Sequence, residues 1–448
     1  MKNQLILCLL ILGLGLTACQ KEENNGTAVD QALNQALDQL AGGKGSAFFQ
    51  LPQSNDFNNI PQDPKNPLTA EKVALGKQLY HETGLALAPK MDVGRGTYSC
   101  ASCHFASAGF QAGRHQGISD GGVGFGINGE GRTPHSDYSL DSLDVQPIRT
   151  PSAMNGAYQE LMLWNGQFGA TGDNVGTEDQ WTDGTPKAVN HLGYEGLEIQ
   201  AIAGLTVHRL VVDESILTDL GYKDQFDRVF ADVNTADRYT AEYAGLAIAA
   251  YERTLMSNQA PFQEWLRGNY NALSEQEKRG ALLFFTDGQC GSCHTGPALN
   301  SMDFYALGMK DLFENPEATY GADVGSSANL GRGDFTRRAE DMYKFKVPQL
   351  YNLSNSLFLG HGSSFRSIRD VVAYKNGAVA ENPNVPSAQL ASEFEPLQLS
   401  DEEIDDITAF ISNALQDPNL MRYQPASVNS GNCIPNNDGV SQSDLGCQ

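Results

Sequence analysis

Positive charge is scarce in this chain. Its 30 lysines and arginines face 54 aspartates and glutamates, a formal net charge of -24 over 448 residues. Phosphate backbones need clustered cations, so this shortage argues against a nucleic-acid partner. An acidic surface admits a basic protein partner, and more generally it keeps a chain in solution. Long apolar runs are scarce as well. Only Leu5 to Leu16 is continuous, and it is too short to span a bilayer comfortably. A phosphate-binding loop is also lacking. The glycines of "GGVGFGINGEGR" follow no strand and open no helical pattern, which excludes a nucleotide site there.

The apolar run follows Lys2 and ends in Leu16-Thr17-Ala18-Cys19. This resembles a bacterial lipoprotein signal, in which the cysteine takes lipid; the alternative is an ordinary cleaved signal with Cys19 incidental. Residues 1–19 are therefore expected to be a signal peptide, and the mature chain to be periplasmic and tethered to a membrane by lipid alone. Of eight cysteines, Cys8 leaves with the signal and Cys19 carries lipid. Cys433 and Cys447 stand in a polar tail, residues 421–448, and in an oxidising compartment are expected to form a disulfide.

The other four cysteines lie in two C-x-x-C-H clips, Cys100-Cys103-His104 and Cys290-Cys293-His294. In this motif two thiols add to the two vinyl groups of a haem and the adjacent imidazole reaches the iron. A zinc site or a thioredoxin-like redox pair is the competing reading, but no compact set of four zinc ligands is evident. Two copies in an exported chain predict two covalent c-type haems, with His104 and His294 as iron ligands. A haem ligated on both faces favours electron transfer, whereas an open face lets peroxide bind.

Each clip follows a similar segment. "LTAEKVALGKQLY" precedes Cys100 and "LSEQEKRGALLFF" precedes Cys290, each with a polar helix start and then Gly-x-x-Leu-aromatic. Thr69 is expected to cap the first helix, which carries Val73, Leu75, Leu79 and Tyr80. Ser274 and Ser400 begin capping boxes. "YTAEYAGLAIAAYERTL" reads as a helix with an apolar stripe, and residues 111–147 read as a long loop. The predicted fold is mainly α, with two cytochrome c-like haem domains and long loops. The expected units are a tether with a short helix at 20–60, an N-terminal haem domain at 61–235 and a C-terminal one at 236–420.

Taken in order, "IPQDPKNPLTAEKVALGKQLY", "SCASCH", "RTPSAMNGAYQELMLWNG", "LEIQAIAGL", "AAYERTLMSNQAPFQEWLRG", "CGSCH" and "FKVPQLYNLSNSLFLGHGSSFRSIRDVVAYKNGA" resemble the bacterial di-haem cytochrome c peroxidases and their MauG-like relatives, from about Ile60 to Leu415. The resemblance implies an active haem in the N-terminal domain and an electron-entry haem in the C-terminal one. It also implies hydrogen peroxide as substrate and a small donor such as a cytochrome c or cupredoxin. Trp164 matches a tryptophan between the haems, Gln200 a glutamine near the active haem, and His361 the histidine of an H-D-G segment.

Three departures from the family are visible. The glutamate expected ten residues after Gln200 is Leu210, which leaves His208 and Arg209 as candidates for the acid–base and charge-stabilising work. The sixth ligand of the C-terminal haem, a Met or Tyr in the family, falls at Lys375 with Tyr374 beside it, and a water ligand is also open. Met309 and Met342 are further candidates that do not match the family position. The asparagine that helps bind an inter-domain calcium is Arg149, which puts the calcium in doubt and offers a positive charge in its place. His115 and His135, in the long loop, are candidates for a distal ligand. The alternative activities are a MauG-like oxidase that modifies a partner protein or peptide, and a plain electron-carrying di-haem cytochrome.

Overall fold

The Gly-x-x-Leu-aromatic repeat marks two helix crossings, one in each half of the molecule. The computed structural model describes residues 26–447, so Cys8, Cys19 and the signal lie outside the described residues. The helix Ala70–His81 starts at Thr69, whose side chain accepts from the Lys72 amide, and it packs across Ala241–Glu252. The helix Glu275–Phe285 starts at a complete Ser274/Glu277 capping box and packs across Asp401–Ala409, which has its own box at Ser400 and Glu403. At both crossings the backbones meet at a glycine. A methyl on Gly76 would overlap the Ala247 carbonyl, and one on Gly280 would overlap the Asp406 carbonyl.

Two cores follow from these crossings. The first gathers Leu75, Leu79, Tyr80, Leu197, Leu205 and Tyr251 around the first clip. The second gathers Phe262, Trp265, Phe284, Phe285, Ile407 and Phe410 beside the second clip. The fold is mainly α, as expected. Its only sheets among the described residues are two-stranded, Gly122–Val123 with Thr133–Pro134 and Phe304–Tyr305 with Phe345–Lys346. No helix among the described residues is long and apolar enough to cross a membrane.

Three expectations about organisation change. The helix at 241–252 is no amphipathic stripe: every residue from Ala244 to Glu252 is buried, because helices 70–81 and 196–207 both pack on it. It therefore belongs to the first core, and the boundary drawn between 235 and 236 cuts through that core. The supposed tether is, from Ala28 onward, part of the second core. Leu33, Leu37, Phe49 and Leu51 are buried there. Within the same segment, buried Asp30 accepts from Trp265 Nε1 at 2.7 Å and from Lys278 Nζ at 3.0 Å. The tail is closed by the expected Cys433–Cys447 disulfide, with Cα atoms 5.9 Å apart, but it does not hang free. Asp438 accepts from the Gly124 amide at 2.9 Å and Asp444 from the Phe125 and Gly126 amides at 2.8 Å, so the tail lies over the loop at 111–147.

The glycine crossings predict opposite outcomes for one chemical change. Gly280→Ala should destabilise the protein by about 1–3 kcal/mol, through overpacking against a backbone that cannot yield. Gly204→Ala, in helix 196–207 with open space around its Cα, should be neutral or stabilise by up to about 1 kcal/mol. Denaturant unfolding of the two variants beside the parent chain checks both.

Candidate haem sites

Each clip is one turn of 3₁₀ helix, Cys100–Ser102 and Cys290–Ser292, with the histidine amide bonded back to the first cysteine carbonyl at 3.2 Å and 2.9 Å. That turn sets both sulfurs and the imidazole on one short arc. The first turn is fixed by its own capping box between Ser99 and Ser102, and the Pro435 carbonyl of the tail accepts from both hydroxyls. None of the four clip cysteines is in a disulfide.

The imidazoles are oriented in the same way. His104 Nδ1 meets the Phe110 carbonyl at 3.2 Å, and His294 Nδ1 meets the Leu299 and Pro348 carbonyls at 3.1 Å each. A carbonyl can only accept, so Nδ1 carries the proton and Nε2 is left as the free lone pair. Burial pushes both imidazoles down to about 4, which keeps them in the neutral, metal-binding form. Paired sulfurs, a presented Nε2 and, at the second clip, a cavity of about 310 Å³ reaching Cys290, Cys293 and His294 are what a covalent haem requires. The residues fit the group.

Tyr374 and Lys375 separate cleanly. Lys375 lines that cavity together with Met309. Its charge acts on His294 and on Cys290, and burial holds its own ionisation below the usual lysine range. Tyr374 points elsewhere: its hydroxyl donates to the Leu307 carbonyl at 2.5 Å, and its ring packs on Phe365 and Phe394. Met342 packs on Gly333.

Between the clips runs a continuous set of contacts. Trp164 and Arg149 line the cavity of the second clip. Trp164 Nε1 donates to the Arg149 carbonyl at 2.8 Å, two residues before Pro151, whose carbonyl faces His104. The Trp164 ring meets His361 edge to face at 6.3 Å, and His361 stacks on Phe345 and pairs with Asp311 at 3.2 Å.

The Arg149 guanidinium is buried in an all-oxygen cage. It donates to the Arg114 carbonyl at 3.1 Å, Gln111 Oε1 at 2.8 Å and Ser356 Oγ at 2.7 Å. Burial first, and then the charge of Arg366, pulls its ionisation down to about 9. The oxygens that a calcium would claim are already turned toward a cation, so the residues here do not fit calcium.

On the first side, helix Gly196–Val207 carries half-buried Gln200 and ends at His208. His208 Nδ1 bonds Asp144 at 2.8 Å with one-third of its side chain exposed, 33%. Arg209, in left-handed backbone, clamps Asp120 at 2.9 Å and Asp144 at 3.0 Å. This cluster is close to the first clip: the charge of His208 acts on His104, and that of Asp144 on Cys103. Leu210 is buried in the core. His115 is engaged by the Ala318 carbonyl at 2.8 Å and by Glu317 at 3.0 Å, and His135 accepts from the Asp137 amide at 3.2 Å.

Sequence reasoning missed two groups. Glu252 is buried with its carboxyl pushed up to about 8, first by burial and then by Glu198, and its charge reaches Cys100. Lys346 lies buried in the wall of the second cavity. A second repeat around Lys346 carried the signal that would have found it.

A helical protein with two such clips is a di-haem c-type protein. The sequence model of the di-haem cytochrome c peroxidase family matches residues 70–271. Cytochrome c peroxidase Ccp of Escherichia coli is 28% identical over 86% of this chain and 68% of its own length. The methylamine utilization protein MauG of Methylorubrum extorquens is 26% identical over 83% of this chain and 84% of its own. A solved MauG-like protein associated with microbial copper homeostasis shares the fold at TM-score 0.57 and 21% identity, over 83% of this chain and 96% of that one. Over most of its length the chain is similar to the di-haem cytochrome c peroxidases and to MauG.

Asp144 supplies a pH test. Burial alone would raise its ionisation, but the hydrogen bond and charge of His208, with the charge of Arg209, outweigh burial and hold it below the usual carboxylate range of 3.8. A depressed carboxyl contributes stability that is present above its unfolded value and lost as pH falls through its folded one. Asp144→Asn should therefore cost roughly 1–3 kcal/mol at pH 7 and flatten the acid limb of the stability curve below about pH 4. Urea midpoints across pH 3–7 measure both effects.

Proposed function

We propose that this chain reduces hydrogen peroxide at the first clip, with electrons entering at the second from a small redox protein such as a cytochrome c or cupredoxin. The reaction is H₂O₂ + 2 e⁻ + 2 H⁺ → 2 H₂O. The haems, when bound, supply the redox centres on which peroxide is reduced and electrons are received. The position of Trp164 carries the reading: it lines the second cavity and is hydrogen-bonded to the segment that leads to His104.

The chain's own residues do the rest. His208 has Nδ1 tied to Asp144, so its Nε2 is the nitrogen presented to an incoming molecule, where an imidazole can move a proton between the peroxide oxygens. Arg209 spends its guanidinium on Asp120 and Asp144 and so positions His208. Gln200 lies on the same helix and would offer its amide to the peroxide. Lys375, which lines the cavity where Tyr374 does not, is the residue that would help hold the iron of the haem at the second clip, as the neutral amine. The apolar start that ends at Cys19 supports export to the periplasm and a lipid tether.

One observation favours the second reading, a MauG-like oxidase acting on a partner protein or peptide. No carboxylate stands ten residues after Gln200, where Leu210 is buried in the core.

Stopped-flow mixing of the haem-loaded chain with peroxide, with and without reduced cytochrome c, tests the assignment. Fast catalytic re-oxidation of the donor is expected, and His208→Gln should slow it by about 10²-fold or more. A long-lived oxidised state that barely consumes donor would instead support the oxidase, and two fully ligated, peroxide-inert haems would support a plain carrier. Lys375→Met should change the absorption spectrum of the second haem alone, and Tyr374→Phe should leave it unchanged.

A further inference from the structure

The two halves share a second motif besides the clips. Arg149-Thr150-Pro151 runs on to Asn155, and Lys346-Val347-Pro348 runs on to Asn352, so a cation-x-Pro-x-x-x-Asn pattern occurs twice. Both asparagines adopt left-handed backbone, at φ 55° and 58°. Each proline carbonyl faces the clip histidine of its own half, Pro348 toward His294 and Pro151 toward His104.

The two segments meet reciprocally. The Arg149 amide donates to the His361 carbonyl at 2.9 Å, and the Lys346 amide donates to the Trp164 carbonyl at 2.8 Å. Trp164 and His361 also correspond: each is the second residue after the start of a hairpin, closed by Met162 with Phe168 and by Leu359 with Phe365. Arg149 and Lys346 are thus one position seen twice about a local two-fold.

Both occurrences are buried basic side chains whose partners among the described residues are uncharged oxygens, and burial, then the charge of Arg332, pulls Lys346 down to about 7, where an added anion would restore its charge. Lys346 Nζ donates to Gln159 Oε1 at 2.5 Å and to the Leu161 carbonyl, which uses two of its three hydrogens. Arg149 has the cage described above. A buried cation without an anion is unfavourable, and breaking or omitting its partner is what makes such sites costly. In a chain with a net charge of -24 there is no shortage of carboxylates that could have been placed here. Instead both residues line the cavity that reaches Cys290, Cys293 and His294. The group that fits this cavity brings its own two carboxylates.

We propose that Lys346 and Arg149 bind the propionates of the haem attached at Cys290 and Cys293, and that their positive charge raises its reduction potential. The proposal rests on the haem reading of the second clip and not on peroxide as substrate. A fixed cation beside a redox centre favours the form that carries the extra electron, which suits an entry point for electrons.

The test is spectroelectrochemical titration of the purified holoprotein, together with the propionate bending band in its resonance Raman spectrum. Lys346→Met should lower the midpoint potential of the second haem and shift that band. Lys346→Arg, which keeps the charge, should restore both. Lys344→Met, at a half-exposed lysine facing Asp341, should change neither. Where Lys346→Met does not load haem, Lys346→Gln, which retains a donor for the Leu161 carbonyl, gives the same comparison. An unchanged potential at full haem content overturns the proposal, as do equal shifts in Lys346→Met and Lys346→Arg. A parent chain that binds no haem at the second clip would overturn the haem reading itself, a separate result seen in haem content before any titration.

Discussion

The hydrogen bond from each clip imidazole to a backbone carbonyl is the constraint on which the rest depends. It fixes which nitrogen holds the proton, and so which one can meet a metal. It also ties each clip to a segment that then crosses into the other half: Pro348 leads back to Lys346 and on to Trp164, and Pro151 leads back to Arg149 and on to His361. The orientation of one site is therefore mechanically continuous with the wall of the other. That continuity needs rigid support, which the two glycine crossings give by letting helix backbones pack at contact distance behind each clip.

Charge is arranged against the overall balance of the chain. Its excess of acid lies largely outside, while the junction between the sites is built around Arg149, Lys346 and Arg332. Arg332 is likewise buried, bonding Asn174 Oδ1 at 2.9 Å and the Asp173 carbonyl at 2.9 Å, and its guanidinium sits 4.4 Å from the centre of the Phe304 ring. Carbonyl and amide oxygens can hold cations in place without neutralising them. A field of this kind is weakly screened where water is excluded. The acid lies largely toward solvent, while Arg149 and Lys346 line the cavity that reaches the second clip.

What the sequence disclosed followed from local rules. Thr69, Ser274 and Ser400 cap helices because a hydroxyl three residues before a free amide is a short-range fact. The clips and the paired glycines are equally local. What it hid depended on partners distant in the chain. The segment from Ala28 looked like a tether because Asp30 finds Trp265 and Lys278 more than 230 residues away. The helix at 241–252 looked like a boundary element because its Ala/Gly-rich surface, which invites packing on all sides, mimics a weak stripe. The choice between Tyr374 and Lys375 was open in sequence, since adjacent helical residues differ by about 100°. Only the packing of Tyr374 on Phe365 and Phe394 decides which of them faces the cavity.

The internal two-fold also explains how one architecture can serve two tasks. Matched positions preserve the scaffold: glycine against glycine at the crossings, proline against proline at the imidazoles, cation against cation at the junction. The differences fall where chemistry would have to differ. Trp164 stands opposite His361, so one half contributes an oxidisable indole and the other an imidazole anchored on Asp311. The Asp120–Asp144–His208–Arg209 cluster stands at the first clip and is one-third open at His208. At the second clip Lys375 lines a cavity together with apolar residues, Arg149 and Lys346. A duplicated cytochrome unit thus becomes asymmetric through a handful of side chains, while the backbone contacts that couple the halves stay paired.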